Sequence, residues 1–164
     1  MRLFGRGGQA SPRTEFRAGT QALNRGRLQE AVVSFTRALE TDPDNVAALL
    51  NLGIAYHRLG QHSKAIEQFE RVIALRPTEA RAYVNLAAAE NALGHLDRAE
   101  NALLRALEIN PNQRGAHYNL AVLYLKRNQL ANAMAEMELE LAVNPGHRET
   151  EQALRALRQR LLPH

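Results

Sequence analysis

The chain repeats itself every 34 residues, and this period limits its possible folds more than any other feature of the sequence. Alanine and proline columns keep the step, and they read Ala31, Ala65, Ala99, Ala133, Pro43, Pro77, Pro111 and Pro145. A third column is always large and apolar: Phe35, Phe69, Leu103 and Met137. Self-similarity at one fixed period is the signature of repeat architectures. The sequence therefore predicts a short array of equivalent units.

Each unit has the pattern of two helices joined by a turn. The second half of the second copy carries apolar residues at helical spacing: Ala65, Ile66, Phe69, Val72 and Ile73. A turn column of Gly26, Gly60, Gly94 and Asn128 precedes each second helix, and these residue types best tolerate a left-handed helix end. The proline column ends each copy, because proline cannot continue a helix interior. A hairpin of this size cannot bury its apolar face alone, so the copies must stack.

The segment Asn-Leu-Gly-Ile-Ala-Tyr at residues 51–56, followed by Gly60, Ala65, Phe69 and Pro77, resembles the tetratricopeptide repeat (TPR) family. The resemblance covers four copies, at residues 12–45, 46–79, 80–113 and 114–147. It implies an all-α fold, a right-handed superhelical stack of four TPR helix hairpins, and the pattern of the C-terminal segment adds a C-terminal capping helix at residues 148–164. Residues 1–11 are rich in glycine and arginine without periodicity, and we expect a disordered basic tail there.

The C-terminal segment has leucines on one helical face and arginines on the other, which predicts a cap that is apolar inside and charged outside. Binding of this helix to a membrane surface is the alternative. Glu140 stands in a column whose other members are Ala38, Val72 and Ala106. An unpaired buried carboxylate is costly, so we expect Glu140 to pair with an arginine of residues 148–158. The alternative is a frayed last hairpin with an exposed Glu140.

The sequence offers little chemistry for catalysis. There is no cysteine, the six histidines form no HExxH motif, and no glycine-rich loop has the spacing of a phosphate-binding motif. The only serines, Ser11, Ser34 and Ser63, lie outside any nucleophile motif. We therefore expect a protein that is not an enzyme and that needs no cofactor and no metal.

The net charge is +4, but the excess of arginine lies in the first 14 and last 17 residues, while the body is nearly balanced. A nucleic-acid binder would be expected to carry a basic stripe on its folded surface. The sequence shows no such stripe, so we do not expect a nucleic-acid partner. No apolar run approaches the roughly 20 residues of a membrane-spanning helix. The basic N-terminus lacks the apolar stretch of a secretory signal. A cytoplasmic protein without a membrane span is the expectation.

The TPR resemblance also implies where a ligand binds, because in that family the first helices of successive hairpins line a concave groove. The matching positions are Phe16, Leu50, Asn51, Ile54, Arg58, Arg81, Val84, Asn85, Tyr118, Asn119, Val122 and Lys126. The centre of this set is apolar and its edge is basic, which favours a protein or peptide partner with acidic and apolar residues. The three asparagines have an alternative interpretation as residues that merely pack the groove floor.

Family members that grip the C-terminal carboxylate of chaperones use two lysines, two asparagines and an arginine. In this chain Phe16 and Thr20 occupy the first two of these places, so we do not expect chaperone-tail capture. The resemblance predicts a non-catalytic protein–protein interaction scaffold or adaptor that binds a peptide segment in the groove. The alternatives are a self-assembling scaffold (a homo-oligomer) and nucleic-acid binding through the arginine-rich tails.

Overall fold

The computed structural model describes residues 11–161, and that part of the chain is built from helices and turns. Nine helices lie there: α1 (Pro12–Asn24), α2 (Leu28–Thr41), α3 (Val46–Arg58), α4 (His62–Leu75), α5 (Ala80–Ala92), α6 (Leu96–Ile109), α7 (Ala116–Lys126), α8 (Leu130–Val143) and α9 (Arg148–Leu161). The predicted disordered tail lies outside the described residues except for Ser11. Ser11 is structured, since its side chain accepts a hydrogen bond from the Thr14 N–H and caps α1.

The chain divides into two compact units. The N-terminal unit ends at Leu75 and contains α1 to α4, and the C-terminal unit begins at Arg76 and contains α5 to α9. In the N-terminal unit each helix packs against the next one, and α1 also touches α3. In the C-terminal unit each helix likewise packs against the next one, and α5 touches α7. The first helices are therefore neighbours within each unit.

The turn column has the backbone conformation that the sequence predicts. Gly26, Gly60 and Gly94 have φ angles of 72°, 76° and 81°, and Asn128 has a φ of 57°. A side chain with a Cβ rarely adopts this region, and asparagine tolerates it better than most residues. The prediction that these residues form left-handed helix ends is confirmed.

The repeated apolar columns form the core. Each alanine of the column at Ala31, Ala65, Ala99 and Ala133 is fully buried. The large column is buried as well, and its members face small residues on the preceding helix. A Cβ added to Gly19 would stand 2.8 Å from the Phe35 ring, and one added to Gly53 would stand 2.5 Å from the Phe69 ring. Small residues here let paired helices approach closely.

The C-terminal helix predicted from the leucine pattern is present as α9. It packs against α8, and it buries Thr150, Leu154 and Leu157. Its outer side is charged, and Arg158 forms an exposed ion pair of 2.7 Å with Glu138. Within residues 11–161, no helix combines the length and the hydropathy that crossing a membrane would require.

Candidate interaction surface

One face of α5 and one face of α7 stay partly exposed within the C-terminal unit. Helical spacing places Arg81, Val84, Asn85 and Ala88 on one side of α5, and Tyr118, Asn119 and Val122 on the matching side of α7. We call these seven residues the C-terminal inner face. The two helices touch, and the Val84 side chain lies about 4.0 Å from where a Cβ on Gly115 would stand. The face combines apolar side chains with two amides and one cation.

The N-terminal unit carries the corresponding face on α1 and α3. Phe16, Asn51 and Ile54 are partly exposed there, whereas Leu50 is only 5% exposed and belongs to the core. A shallow cavity of about 310 Å³ lies along α1 and is lined by Phe16, Arg17, Thr20, Gln21 and Asn24. Phe16 is therefore accessible as a binding residue, and Leu50 is not.

Two of the basic residues assigned to the groove edge bind the ends of neighbouring helices. The Arg58 guanidinium donates to the Leu23 carbonyl at 3.2 Å. The Lys126 ammonium, which occupies the equivalent position two repeats later, donates to the Asn91 side-chain oxygen at 2.5 Å and to its carbonyl at 3.4 Å. Both cations sit where a helix C-terminus carries partial negative charge. Their charges are thus partly used in holding neighbouring first helices together.

Arg81 is different, because it is exposed and forms no hydrogen bond or ion pair with any other residue of 11–161. The asparagines also differ from one another. The Asn119 amide donates to the Gly115 carbonyl of its own helix at 2.7 Å, while the side chains of Asn51 and Asn85 hydrogen-bond to nothing in the described part of the chain. Packing on the groove floor therefore describes Asn119 better than the other two.

Tyr118 marks the end of the C-terminal inner face next to α9. Its ring meets the His147 ring edge-on, with centroids 4.9 Å apart and planes at 61°. Burial and then the nearby Glu149 carboxylate raise the pKa of the Tyr118 hydroxyl. Glu149 thus places a negative charge at this end of the face. Glu149 is not among the groove residues that the TPR resemblance predicts.

The prediction that Glu140 pairs with an arginine is wrong, and so is the alternative of an exposed carboxylate. Glu140 is fully buried, and its oxygens accept hydrogen bonds from the Gly115 N–H at 3.1 and 3.2 Å and from the Tyr118 N–H at 3.4 Å. The Asn144 amide donates to it at 3.3 Å. The N-terminus of α7 thus satisfies this carboxylate, since free N–H groups and the helix dipole favour an anion there.

A second buried carboxylate, Glu90, lies at the end of α5. It is 3% exposed and accepts from His95 at 2.6 Å, and it forms an ion pair of 3.2 Å with Arg98. One repeat earlier, in the N-terminal unit, Tyr56 stands in the place of Glu90 and Lys64 in the place of Arg98. The Lys64 ammonium lies 5.5 Å from the centre of the Tyr56 ring. The sequence shows Glu90 as a departure from its column but gives no partner for it.

A polar cluster, partly buried at Glu100 and Arg127 and exposed at Asp97, links α6 to α7. Arg127 forms ion pairs of 2.5 Å with both Asp97 and Glu100, and the Tyr124 hydroxyl donates to Glu100 at 3.1 Å. The hydrogen bond from Arg127 is the main cause that lowers the pKa of Glu100. These contacts tie the two hairpins of the C-terminal unit together.

The histidines do not assemble a metal centre in the described residues. His57 and His62 bring their Nδ1 atoms within 3.1 Å, and burial followed by the charge of His62 lowers the pKa of His57. Across residues 11–161, no group of three or more histidine, aspartate or glutamate side chains could hold a metal ion. His117 contacts Glu136 instead, at 2.7 Å.

Paired helices at a fixed period, with a partly exposed face of apolar and amide side chains, define the class of helical repeat proteins. Sequence profiles of the tetratricopeptide repeat match residues 22–89 and 59–114, and a further tetratricopeptide repeat profile matches residues 102–135. The chain belongs to the tetratricopeptide repeat family. No curated protein matches the sequence.

Several solved structures are similar to this chain. A thermophilic TPR protein of Thermus thermophilus is 26% identical with a TM-score of 0.82, and the match covers 92% of this chain and 83% of that one. The MamA protein is 26% identical with a TM-score of 0.74, covering 90% and 81%. The first TPR domain of Spaghetti, bound to the HSP90 peptide SRMEEVD, is 26% identical with a TM-score of 0.68, covering 72% and 94%.

Proposed function

We propose that this chain is a non-catalytic interaction scaffold that binds a segment of a partner protein on the exposed faces of its first helices. The observation that carries the proposal is the C-terminal inner face. Its residues Val84, Asn85, Tyr118 and Val122 are only partly covered, and the amide of Asn85 has no partner in residues 11–161. An apolar surface with an unpaired amide suits an extended chain, whose side chains pack while its backbone hydrogen-bonds.

Membership of the family supports this proposal, and so does the similar Spaghetti domain, whose structure contains a bound peptide. The partner is expected to differ from that peptide. Phe16 and Thr20 stand in place of two clamp residues, and the Lys126 ammonium is partly used by Asn91. The peptide SRMEEVD should therefore bind no better than a scrambled peptide of the same composition.

A site-specific crosslink tests the proposal directly. A photoreactive amino acid replaces Ala88, which lies on the inner side of α5, and in a matched protein it replaces Asn101 on the exposed side of α6. Irradiation in lysate of the source organism should give defined adducts from position 88 and only background from position 101. The crosslinked peptide, identified by mass spectrometry, then gives the partner segment.

A groove-blocked variant, Val84→Glu/Tyr118→Glu, should abolish the adducts at position 88. Both side chains are partly exposed, so this variant tests binding with less damage to the fold than a change at the buried Leu50. Circular dichroism must show unchanged helix content in the variant. Equal adducts from positions 88 and 101 would contradict the proposal.

A further inference from the structure

Three successive first helices of the C-terminal unit place Arg81, Gly115 and Glu149 at the same repeat position, each 34 residues from the next. We call these residues the charge row. The helix α9 keeps the register of the repeats, because its buried Leu154 and Leu157 stand 34 residues after Leu120 and Leu123, which are also buried. The row therefore continues from α5 through the start of α7 to the first turn of α9.

The central residue of the charge row, Gly115, has no side chain. Its φ is 80°, and its N–H donates to the two carboxylate oxygens of Glu140 at 3.1 and 3.2 Å. No ion pair forms between the two ends of the row, since Arg81 is unpaired among residues 11–161 and Glu149 lies beside Tyr118. The row thus presents a cation at one end and an anion at the other.

The distance between the two ends follows from the helix spacing. α5 packs against α7, and α9 follows α7 at the same 34-residue register. At about 8–10 Å per step, the backbones at Arg81 and Glu149 are expected to lie roughly 16–20 Å apart. An extended chain rises about 3.3 Å per residue, and five or six residues span that distance. Val84 and Tyr118, which are both partly exposed, flank this path.

We propose that the C-terminal inner face binds an extended partner segment with an acidic residue at one end and a basic residue five or six positions away. Apolar side chains between them pack on Val84, Tyr118 and Val122. The acid faces Arg81 and the base faces Glu149. This inference rests on the proposed function and changes the partner that sequence analysis favours, since a uniformly acidic segment would place like charge against Glu149.

The charge row also fixes the direction of the bound segment. Each exposed ion pair contributes little to the binding free energy. Two such pairs together favour one orientation of the bound segment, because only that orientation places both of its charges opposite a charge of the other sign. A segment with its two charges exchanged must either reverse its backbone or meet two like charges. Exchanging the two charges of the segment therefore tests the direction in which its backbone binds.

The test uses the full chain and a displayed library of random decapeptides. Enriched peptides should carry one acidic and one basic residue five or six positions apart, with apolar residues between them. An enriched peptide is then synthesised together with its charge-exchanged form. The wild type should bind the original about tenfold more tightly, and the variant Arg81→Glu/Glu149→Arg should prefer the exchanged form.

A matched control exchanges another exposed pair without changing the net charge. Arg105 and Glu108 form an ion pair of 2.7 Å on α6, away from the inner face, and Arg105→Glu/Glu108→Arg should keep the wild-type preference. Enrichment of peptides without the paired charges, or an unchanged preference in the Arg81/Glu149 variant, would overturn the inference and leave the proposed function intact. No enrichment above that of Val84→Glu/Tyr118→Glu would overturn both.

Discussion

The two units of the chain use the same repeat but pack it with different chemistry. In the N-terminal unit a glycine faces a phenylalanine in both hairpins, Gly19 with Phe35 and Gly53 with Phe69. In the C-terminal unit the same positions hold an alanine with a leucine or a methionine: Ala87 with Leu103 and Ala121 with Met137. From the N-terminal to the C-terminal unit the small residue of the pair becomes larger and the large residue becomes smaller. The repeat therefore conserves the summed side-chain volume of the pair and not the identity of its residues.

The units differ again in buried charge. The C-terminal unit encloses Glu90 and Glu140, and each carboxylate is matched by donors from an adjacent helix or turn. Charged side chains are absent from the fully buried residues of α1 to α4. Buried polar groups stabilise only when every partner is in place. The C-terminal unit should therefore tolerate substitution of its buried carboxylates poorly, while the N-terminal unit should respond mainly to changes of volume.

The largest effect is expected from Glu140→Ala. It leaves the N–H groups of Gly115 and Tyr118 without their acceptor and opens a cavity, and we expect a loss of about 2–4 kcal/mol in the free energy of unfolding. Glu140→Gln keeps one acceptor oxygen and should cost less. Denaturant unfolding monitored by circular dichroism measures both.

The control for that experiment is Glu138→Ala, two residues earlier on the same helix. Glu138 is exposed and pairs only with the exposed Arg158, so its removal should cost less than about 1 kcal/mol. Equal losses for Glu138→Ala and Glu140→Ala would mean that the carboxylate does not hold the start of α7. Hydrogen exchange at Gly115 and Tyr118 gives a local measure of the same contact.

The next effect concerns the glycine–phenylalanine pair. Gly53→Ala would place a Cβ 2.5 Å from the Phe69 ring, and overpacking of this kind costs about 1–3 kcal/mol. Better helix propensity returns roughly 1 kcal/mol of that. If volume is what the repeat conserves, Gly53→Ala/Phe69→Leu should be more stable than the sum of its single changes predicts.

A double-mutant cycle from thermal or denaturant unfolding measures this coupling. The reverse change in the other unit, Ala87→Gly/Leu103→Phe, should show coupling of the same sign. Strict additivity in both cycles would show that the two columns vary independently, and the comparison of the units by volume would fail.

Much of the fold follows from the sequence, and the polar contacts do not. The period, the turn glycines and the alanine column indicate where helices end and where they touch, because these are local constraints on backbone and volume. Sequence reasoning gives Glu140 the wrong partner because its compensation lies 25 residues earlier. Gly115 stands at a repeat position that carries a side chain in the other copies. The helix α7 begins at Ala116, two residues later than the 34-residue period from the starts of α3 and α5 predicts.

The candidate site follows from resemblance alone, and its positions mix several roles. The sequence does not reveal that Leu50 is buried, or that Arg58 and Lys126 reach a neighbouring helix, since both depend on how far the first helices lie from one another. The leucine pattern assigns Glu149 to the cap, although the repeat register places it in line with Arg81. Extending the 34-residue period past residue 147 reveals that alignment.

A smaller effect is expected where the two units are alike. Arg58→Ala and Lys126→Ala each remove a cation from the C-terminal end of a neighbouring first helix, which should cost about 0.3–1 kcal/mol. Because both contacts are partly exposed, the losses should shrink in high salt. Denaturant unfolding at low and high ionic strength measures this. A loss at only one of the two positions would show that the equivalent contacts are not equally formed.

The smallest effect is the pH dependence of the N-terminal unit at His57. Burial, and to a lesser extent His62, lowers the pKa of His57 below its ordinary value of 6.5. The unfolded chain then binds more protons than the folded one as the pH falls below about 6.5, so the contribution of neutral His57 to stability is lost on acidification. The free energy of unfolding of the wild type, relative to His57→Asn, should therefore fall between pH 7 and pH 5. His62→Asn removes the lesser cause and should reduce this slope without abolishing it, and parallel pH profiles for the wild type and His57→Asn would contradict the assignment.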